Sequence, residues 1–183
     1  MNQKFPNNKL YSIIYADPPW KYKESWGNGS NEHTYSTMTV DEIKKLPVKN
    51  ITEVNAHLYL WCTNPFLKSG LEICEEWGFT YKTLLTWVKT YKDGKLEMGM
   101  GYYFRGCTEH IIFGVKGKMK CKNKITRNLF KAVNPRLHSQ KPSMTRDMIV
   151  SCSGDFPRIE LFARPENNLF EDNDGWDYWG DQV

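Results

Sequence analysis

The sequence lacks a C-x-x-C pair, a glycine-rich phosphate loop, a long apolar run and any internal repeat. Its five cysteines, Cys62, Cys74, Cys107, Cys121 and Cys152, are odd in number and follow no pattern. That argues against a disulfide framework or a zinc site and for reduced thiols. His33, His57, His110 and His138 share no metal-ligand spacing, so no metal is expected. With no G-x-G-x-x-G and no Walker-type loop, neither NAD nor a nucleoside triphosphate is expected. The opening residues MNQKFPNNKL hold no apolar signal core. A cytoplasmic location without a membrane partner is the expectation.

What is present suits a single catalytic domain over residues 1–183. Hydrophobic residues make up 40% of the chain, and seven Trp and nine Phe supply bulk for an unstapled core. The net charge of +4 conceals an asymmetry. Residues 81–146 carry 15 Lys and Arg against 3 Asp and Glu, and the remainder carries 10 against 18. Residues 116–136 (KGKMKCKNKITRNLFKAVNPR) are the densest basic stretch. Such a run is either a solvated loop or a phosphate-contacting surface.

Apolar runs and breakers alternate along the chain. Residues 10–16 (LYSIIYA) read as a buried strand ended by two prolines, and 21–35 read as a loop. Thr39 and Glu42 form a capping box that opens a helix through Leu46. Residues 56–62 (AHLYLWC) read as a strand. A helix capped at Asn64-Pro65 follows, with Phe66, Leu67, Leu71, Cys74 and Trp77 inward and Gly78 as its stop. Strands over 81–88 and 110–115 flank a glycine-rich segment, 94–106. A helical pattern follows Pro142-Ser143, then a strand over 158–163 (RIELFA) and an acidic aromatic tail. The alternation implies an α/β domain with a largely parallel sheet. Ligands of such sheets sit at the strands' carboxyl ends near a switch in strand order. Two polar strand exits, at Asp17 and at Arg164, are expected at that edge.

The first exit, Asp17-Pro18-Pro19-Trp20, has a chemical logic. An adenine amine is a poor nucleophile because its lone pair is delocalised into the ring. Acceptors for both N–H groups let the nitrogen pyramidalise and reach a methyl sulfonium. Asp17 offers a carboxylate, and Pro18 offers a carbonyl with no competing N–H. Pro19 stiffens the turn and preorganises both acceptors. Trp20 is suited to stack on a base displaced from its helix. The alternative for this motif is a rigid turn with a buried Trp.

Several blocks in order, ADPPW (16–20), YSTMTVDEI (35–43), LYLWCT (58–63), TWVKT (86–90), EHIIFGVKG (109–117), HSQKP (138–142) and IELFARPEN (159–167), resemble one family. It is the N6-adenosine methyltransferase family typified by the catalytic subunit of the eukaryotic messenger-RNA methyltransferase. The likeness runs from about Tyr11 to Gln182, and the chain looks like a stand-alone bacterial or phage member. The resemblance implies a Rossmann-like class I methyltransferase sheet with permuted motif order, the catalytic motif first and the cofactor motif near the C-terminus. It implies S-adenosylmethionine as cofactor. By carry-over, Asp17, Pro18, Pro19 and Trp20 hold the target amine. Tyr35 ends a loop over the acceptor, and Glu109 lines the acceptor site, although from the residues alone Glu109 reads as an edge residue. Ser139 and Lys141 lie on a second such loop, with Lys141 on the cofactor carboxylate. Phe162, Arg164 and Asn167 match the adenosyl pocket, and Gln182 a contact to the cofactor adenine. Glu166 and Asp181 replace the His and Asn of the family's messenger-RNA enzyme, and Glu166 is suited to a ribose hydroxyl.

The function expected is direct methyl transfer to the N6 amine of adenine in DNA. The alternatives are RNA, an inactive nucleic-acid-binding subunit, and transfer to a cytosine amine or a protein amide. Lys118, Lys120, Lys122 and Lys124 are the expected phosphate contacts. A second copy of the chain or a non-catalytic subunit is the expected partner.

Overall fold

A computed structural model describes residues 5–6, 8–22, 37–101, 103–123, 126–135, 140–163 and 175–180. It confirms the mixed α/β reading. The strands are β1 (Tyr11–Ala16), β2 (Thr52–Cys62), β3 (Thr80–Thr90), β4 (Thr108–Lys116), β5 (Leu129–Val133), β6 (Arg158–Leu161) and β7 (Trp176–Trp179). They form one seven-stranded sheet in the order β5-β3-β4-β2-β1-β6-β7. β4 runs antiparallel to β2 and β3, and the other pairings are parallel. From β1 the chain moves one way to β2, and from β6 the other way to β7. The switch in strand order therefore falls between β1 and β6, beside Asp17.

The helices are α1 (Val40–Lys44), α2 (Leu67–Glu76) and α3 (Met144–Ser153). α1 starts at the expected capping box, where the Glu42 amide donates to Thr39 Oγ1 and Glu42 Oε2 accepts from the Thr39 amide. A short 3₁₀ turn, Asn64–Phe66, holds the Asn64-Pro65 pair, and α2 starts only after it. Gly78, with φ 85°, takes the left-handed turn beyond α2.

Strand alternation divides the core between two faces. Ile14, Ala16, Leu58, Leu60, Cys62 and Ile112 pack with residues of α1 and α2. Ile13, Tyr15, Tyr59, Trp61, Trp87 and Ile111 pack on the other face, with Ile149 of α3.

Two elements depart from the sequence reading. β5 lies inside the basic stretch, where only Phe130 is buried and its strand neighbours are exposed or partly so. β7 lies in the acidic aromatic tail. Asp177 there ties the tail to β1, accepting from Tyr11 Oη at 2.6 Å and pairing with Lys9 at 2.6 Å. No described helix is long and apolar enough to cross a membrane.

Candidate active site

The strand ends bring four elements to one edge. β1 delivers Asp17, β2 ends at Cys62 and Thr63, β3 ends with Lys89 and Thr90, and antiparallel β4 begins there with Thr108 and Glu109. Alternation turns Asp17, Trp61, Trp87 and Glu109 toward the α3 face. Lys141 enters from the segment preceding α3.

These residues form a row of alternating charge. Lys141 Nζ lies 2.9 Å from Asp17 Oδ2 and 3.4 Å from Glu109 Oε2. Glu109 Oε1 accepts from Lys89 Nζ at 2.6 Å. The Lys141 side chain is only 12% exposed. Its ammonium lies 5.3 Å from the Trp61 ring centre, and that of Lys89 4.9 Å from Trp87. Burial alone would lower the Lys141 pKa, but the carboxylates of Asp17 and Glu109 outweigh it and hold it above the ordinary lysine value. Glu109 is the mirror case: burial would raise it, yet Lys141 and Lys89 keep it below the ordinary carboxylate range. Both stay ionised at neutral pH.

The row borders a cleft of about 50 Å³ lined by Asp17, Pro18, Trp20, Cys62, Glu109 and Lys141, among others. That is space for one or two waters. Burial, then the charge of Glu109, pushes the Cys62 thiol up to about 12, so it is no nucleophile at neutral pH.

Backbone bonds lock the Asp17–Trp20 turn. The Asp17 amide donates to the Leu161 carbonyl at 3.4 Å, joining the turn to β6. The Pro18 carbonyl accepts from the Trp20 amide at 2.9 Å, and the Pro19 carbonyl from the Met38 amide at 2.8 Å. A carbonyl oxygen has two lone pairs, so Pro18 retains capacity for a second donor. Trp20 is 8% exposed and stacks on Phe66, with ring centres 4.8 Å apart and planes 17° apart. The structure gives it a protein stacking partner on one face, where the sequence suggested a base.

At the end of β6, Phe162 has φ 66°, the only positive φ among the described non-glycine residues. Its ring is buried against Trp179 at 5.7 Å. Left-handed backbone in an aromatic residue is costly and persists where surroundings impose it, often at ligand sites. The position is the carboxyl end of the strand flanking the switch point.

The structure thus brings together Asp17, Pro18, Pro19, Trp20, Glu109 and Lys141, with Phe162 on the neighbouring strand. Lys141, expected on a cofactor carboxylate, here bridges two protein carboxylates. Tyr35, Lys124, Ser139, Arg164, Glu166, Asn167, Asp181 and Gln182 lie outside the described residues. Lys118, Lys120 and Lys122 are not brought to the cleft. They follow the far end of β4, where the Lys118 amide donates to Asn55 Oδ1 and the Lys122 amide to the Cys152 carbonyl. Lys89 was missed from the sequence. Its signal was available, because Trp87 and Lys89 share a face at a strand's carboxyl end.

The MT-A70 family model matches residues 11–182. The type II methyltransferase M.MunI of Mycoplasma sp is 31% identical across 100% of this chain and 83% of its own length. The human N(6)-adenosine-methyltransferase catalytic subunit METTL3 is 30% identical across 86% of this chain and 26% of its own. A putative N(6)-adenosine-methyltransferase MT-A70-like protein of Medicago truncatula is 29% identical across 94% of this chain and 26% of its own. The chain spans about a quarter of the length of these two eukaryotic relatives.

Proposed function

From the premise that the chain belongs to the MT-A70 family, we propose that it transfers a methyl group from S-adenosylmethionine to the N6 amine of adenine in DNA, acting as a single catalytic domain. The adenine-N6 methyltransferase class comes with the family. The cofactor and the polymer are the proposed parts.

The observation that carries the reading is the position of Asp17 at the carboxyl end of β1, beside the switch point and in the cleft wall. The residues fit the cofactor chemically. The cleft pairs carboxylates, suited to a sulfonium or an amine, with a buried ammonium suited to a carboxylate. The strained Phe162 lies one strand away. When bound, S-adenosylmethionine supplies an electrophilic methyl carried on a sulfonium. Asp17 and the Pro18 carbonyl accept from the amine's N–H groups and turn its lone pair toward the methyl. With the cofactor bound, Asp17 would stabilise the positive charge that develops on the amine nitrogen, and the surplus proton would leave to solvent. No enzyme nucleophile is required, in keeping with the un-ionised Cys62. Asp17, Lys141, Phe162, Arg164, Glu166, Asn167, Asp181 and Gln182 are the proposed cofactor contacts, and Trp20, Tyr35, Glu109 and Ser139 the acceptor contacts.

The preference for DNA is supported by the likeness to the type II methyltransferase M.MunI, 31% identical over 100% of this chain, and the RNA alternative by the relatives named for adenosine, a ribonucleoside. Labelled-methyl transfer to DNA, RNA and protein, followed by nucleoside analysis, tests this. Label in N6-methyldeoxyadenosine is expected. Label only in N6-methyladenosine from RNA assigns the other polymer, and label in neither overturns the reading.

A further inference from the structure

The segment between β3 and β4 presents an apolar tip to solvent. Tyr103 is 96% exposed, and Phe104 and Met100 are 90% exposed. Contiguous exposure of large apolar groups marks a contact surface. The segment is nonetheless firmly built. The Lys89 amide donates to the Cys107 carbonyl at 2.8 Å at its root, and the Gly99 amide to the Gly106 carbonyl at 2.9 Å higher up. Asn134 Nδ2 donates to both carboxylate oxygens of Glu97, at 2.8 and 3.0 Å, which pins the stem. A Cβ on Gly101 would collide with the Phe104 carbonyl oxygen, so the chain closes there more tightly than any side chain at 101 allows. These contacts fix the stem from which Tyr103 and Phe104 stand exposed.

Its root lies at the cleft. Glu109, two residues past Cys107, lines it. Phe104 is five residues from Glu109, at most about 18 Å of extended chain, and nucleotides along a duplex strand are spaced about 3.4 Å apart. The tip is therefore within reach of nucleotides flanking a target adenine in the cleft. Arg105 directly follows Phe104 and is exposed, as is Lys92 in the stem. Exposed rings beside cations suit a polyanion with stackable faces.

The geometry points to the exposed rings of Tyr103 and Phe104 as a stacking platform for nucleobases next to the target adenine. This rests on the reading that the substrate is an adenine within a nucleic acid. An enzyme that removes a base from its stack leaves neighbours needing new partners, and this tip supplies them.

The test compares wild type, the Tyr103→Ser/Phe104→Ser double variant and a Tyr103→Trp/Phe104→Trp variant. Binding is read by fluorescence anisotropy on labelled single-stranded and duplex deoxyoligonucleotides containing one adenine, and methyl transfer is measured in parallel. The Ser variant should bind about tenfold or more weakly, with an unaltered salt dependence because no cation is lost, and the Trp variant should recover binding. Affinities within twofold of wild type in the Ser variant overturn the proposal. So does a wild-type dimer that the Ser substitutions convert to a monomer in sedimentation, because the tip is then a contact between copies. A wild type that binds oligonucleotide without methylating it overturns the enzymatic reading instead, and the platform is still judged on binding.

Discussion

Asp17, Lys141, Glu109 and Lys89 hold one another in place through alternating charge, and single substitutions there have distinct consequences. Asp17→Ala removes the acceptor aimed at the amine. The methylation rate should fall by about two to three orders of magnitude, with a much smaller change in cofactor affinity; single-turnover assays beside calorimetric titration check this. Lys141→Met leaves the carboxylates of Asp17 and Glu109 facing a cleft without their shared cation. Breaking a buried pair costs about 3–5 kcal/mol, and the low end applies because Lys89 still serves Glu109. The pH dependence follows from the directions of the shifts. Glu109 is held below its usual value, so its contribution is present above the ordinary carboxylate pKa and is lost as pH falls through the lowered one. Lys141 is held above its usual value, so its contribution is full below the ordinary lysine pKa and is lost as pH rises through the raised one. The row is thus intact across neutral pH. The deficit of Lys141→Met should be greatest there and shrink as pH falls below ~4 and Glu109 protonates; urea titrations at several pH values read it. A deficit independent of pH would mean that lost packing, not charge, is responsible. Asp17 was legible in the sequence because proline pairs end strands. The bridge from Lys141 to Asp17 was not, because it joins residues 124 positions apart.

A buried polar chain couples β2 to α3. The Tyr59 hydroxyl and Ser153 Oγ lie 2.8 Å apart, Ser153 Oγ is 2.8 Å from His57 Nδ1, and His57 Nε2 is 3.3 Å from the Met119 carbonyl. The carbonyl can only accept, so Nε2 carries the proton, Ser153 donates to Nδ1 and Tyr59 donates to Ser153. Burial lowers the His57 pKa below the usual 6.5 despite the Met119 carbonyl. The unfolded chain therefore binds a proton that the native chain refuses, and stability falls as pH drops below about 6.5 toward the lowered value. His110, also lowered chiefly by burial, acts in the same window. His57→Leu should remove one of these contributions, up to about 1.4 kcal/mol per pH unit. It should also cost about 1–3 kcal/mol at pH 8 by orphaning Ser153 and Met119. Thermal melts at pH 5 and pH 8 measure both, and an unchanged pH slope would place the titration elsewhere. The same packing explains which elements the sequence displayed. β1, β2 and β4 are buried on both faces and read as apolar runs. β5 is an edge strand with one buried anchor, Phe130, amid basic residues. β7 is only four residues long and sits in an acidic context, so neither shows a run.

At the scale of the whole molecule, sheet direction decides which basic residues reach a polymer bound at the cleft. β4 starts at the cleft with Glu109 and ends with Lys116 beside Ala56, near the start of β2. Seven residues at about 3.3 Å each separate the two ends by roughly 23 Å. Lys118, Lys120 and Lys122 lie beyond that far end, and Lys122 is held over the Phe156 ring at 5.1 Å. Charge density along the sequence concealed this, since a strand crosses the molecule without interrupting the run. Lys92 and Arg105 instead belong to the connection between β3 and β4, whose root is at the cleft, and Lys131 is exposed on β5, which runs parallel to β3 back toward the cleft edge. Each phosphate contact on duplex DNA contributes about 0.9 to the slope of log affinity against log salt. Lys92→Gln/Arg105→Gln/Lys131→Gln should therefore flatten the slope by up to about 2.7. Lys118→Gln/Lys120→Gln/Lys122→Gln/Lys124→Gln should flatten it less per residue, and cofactor affinity should be unchanged in both. The comparison needs one duplex and five salt concentrations, with anisotropy as the readout. If the second set flattens the slope more per residue, the duplex crosses the far edge of the sheet, and the basic run is the docking surface that its composition suggests.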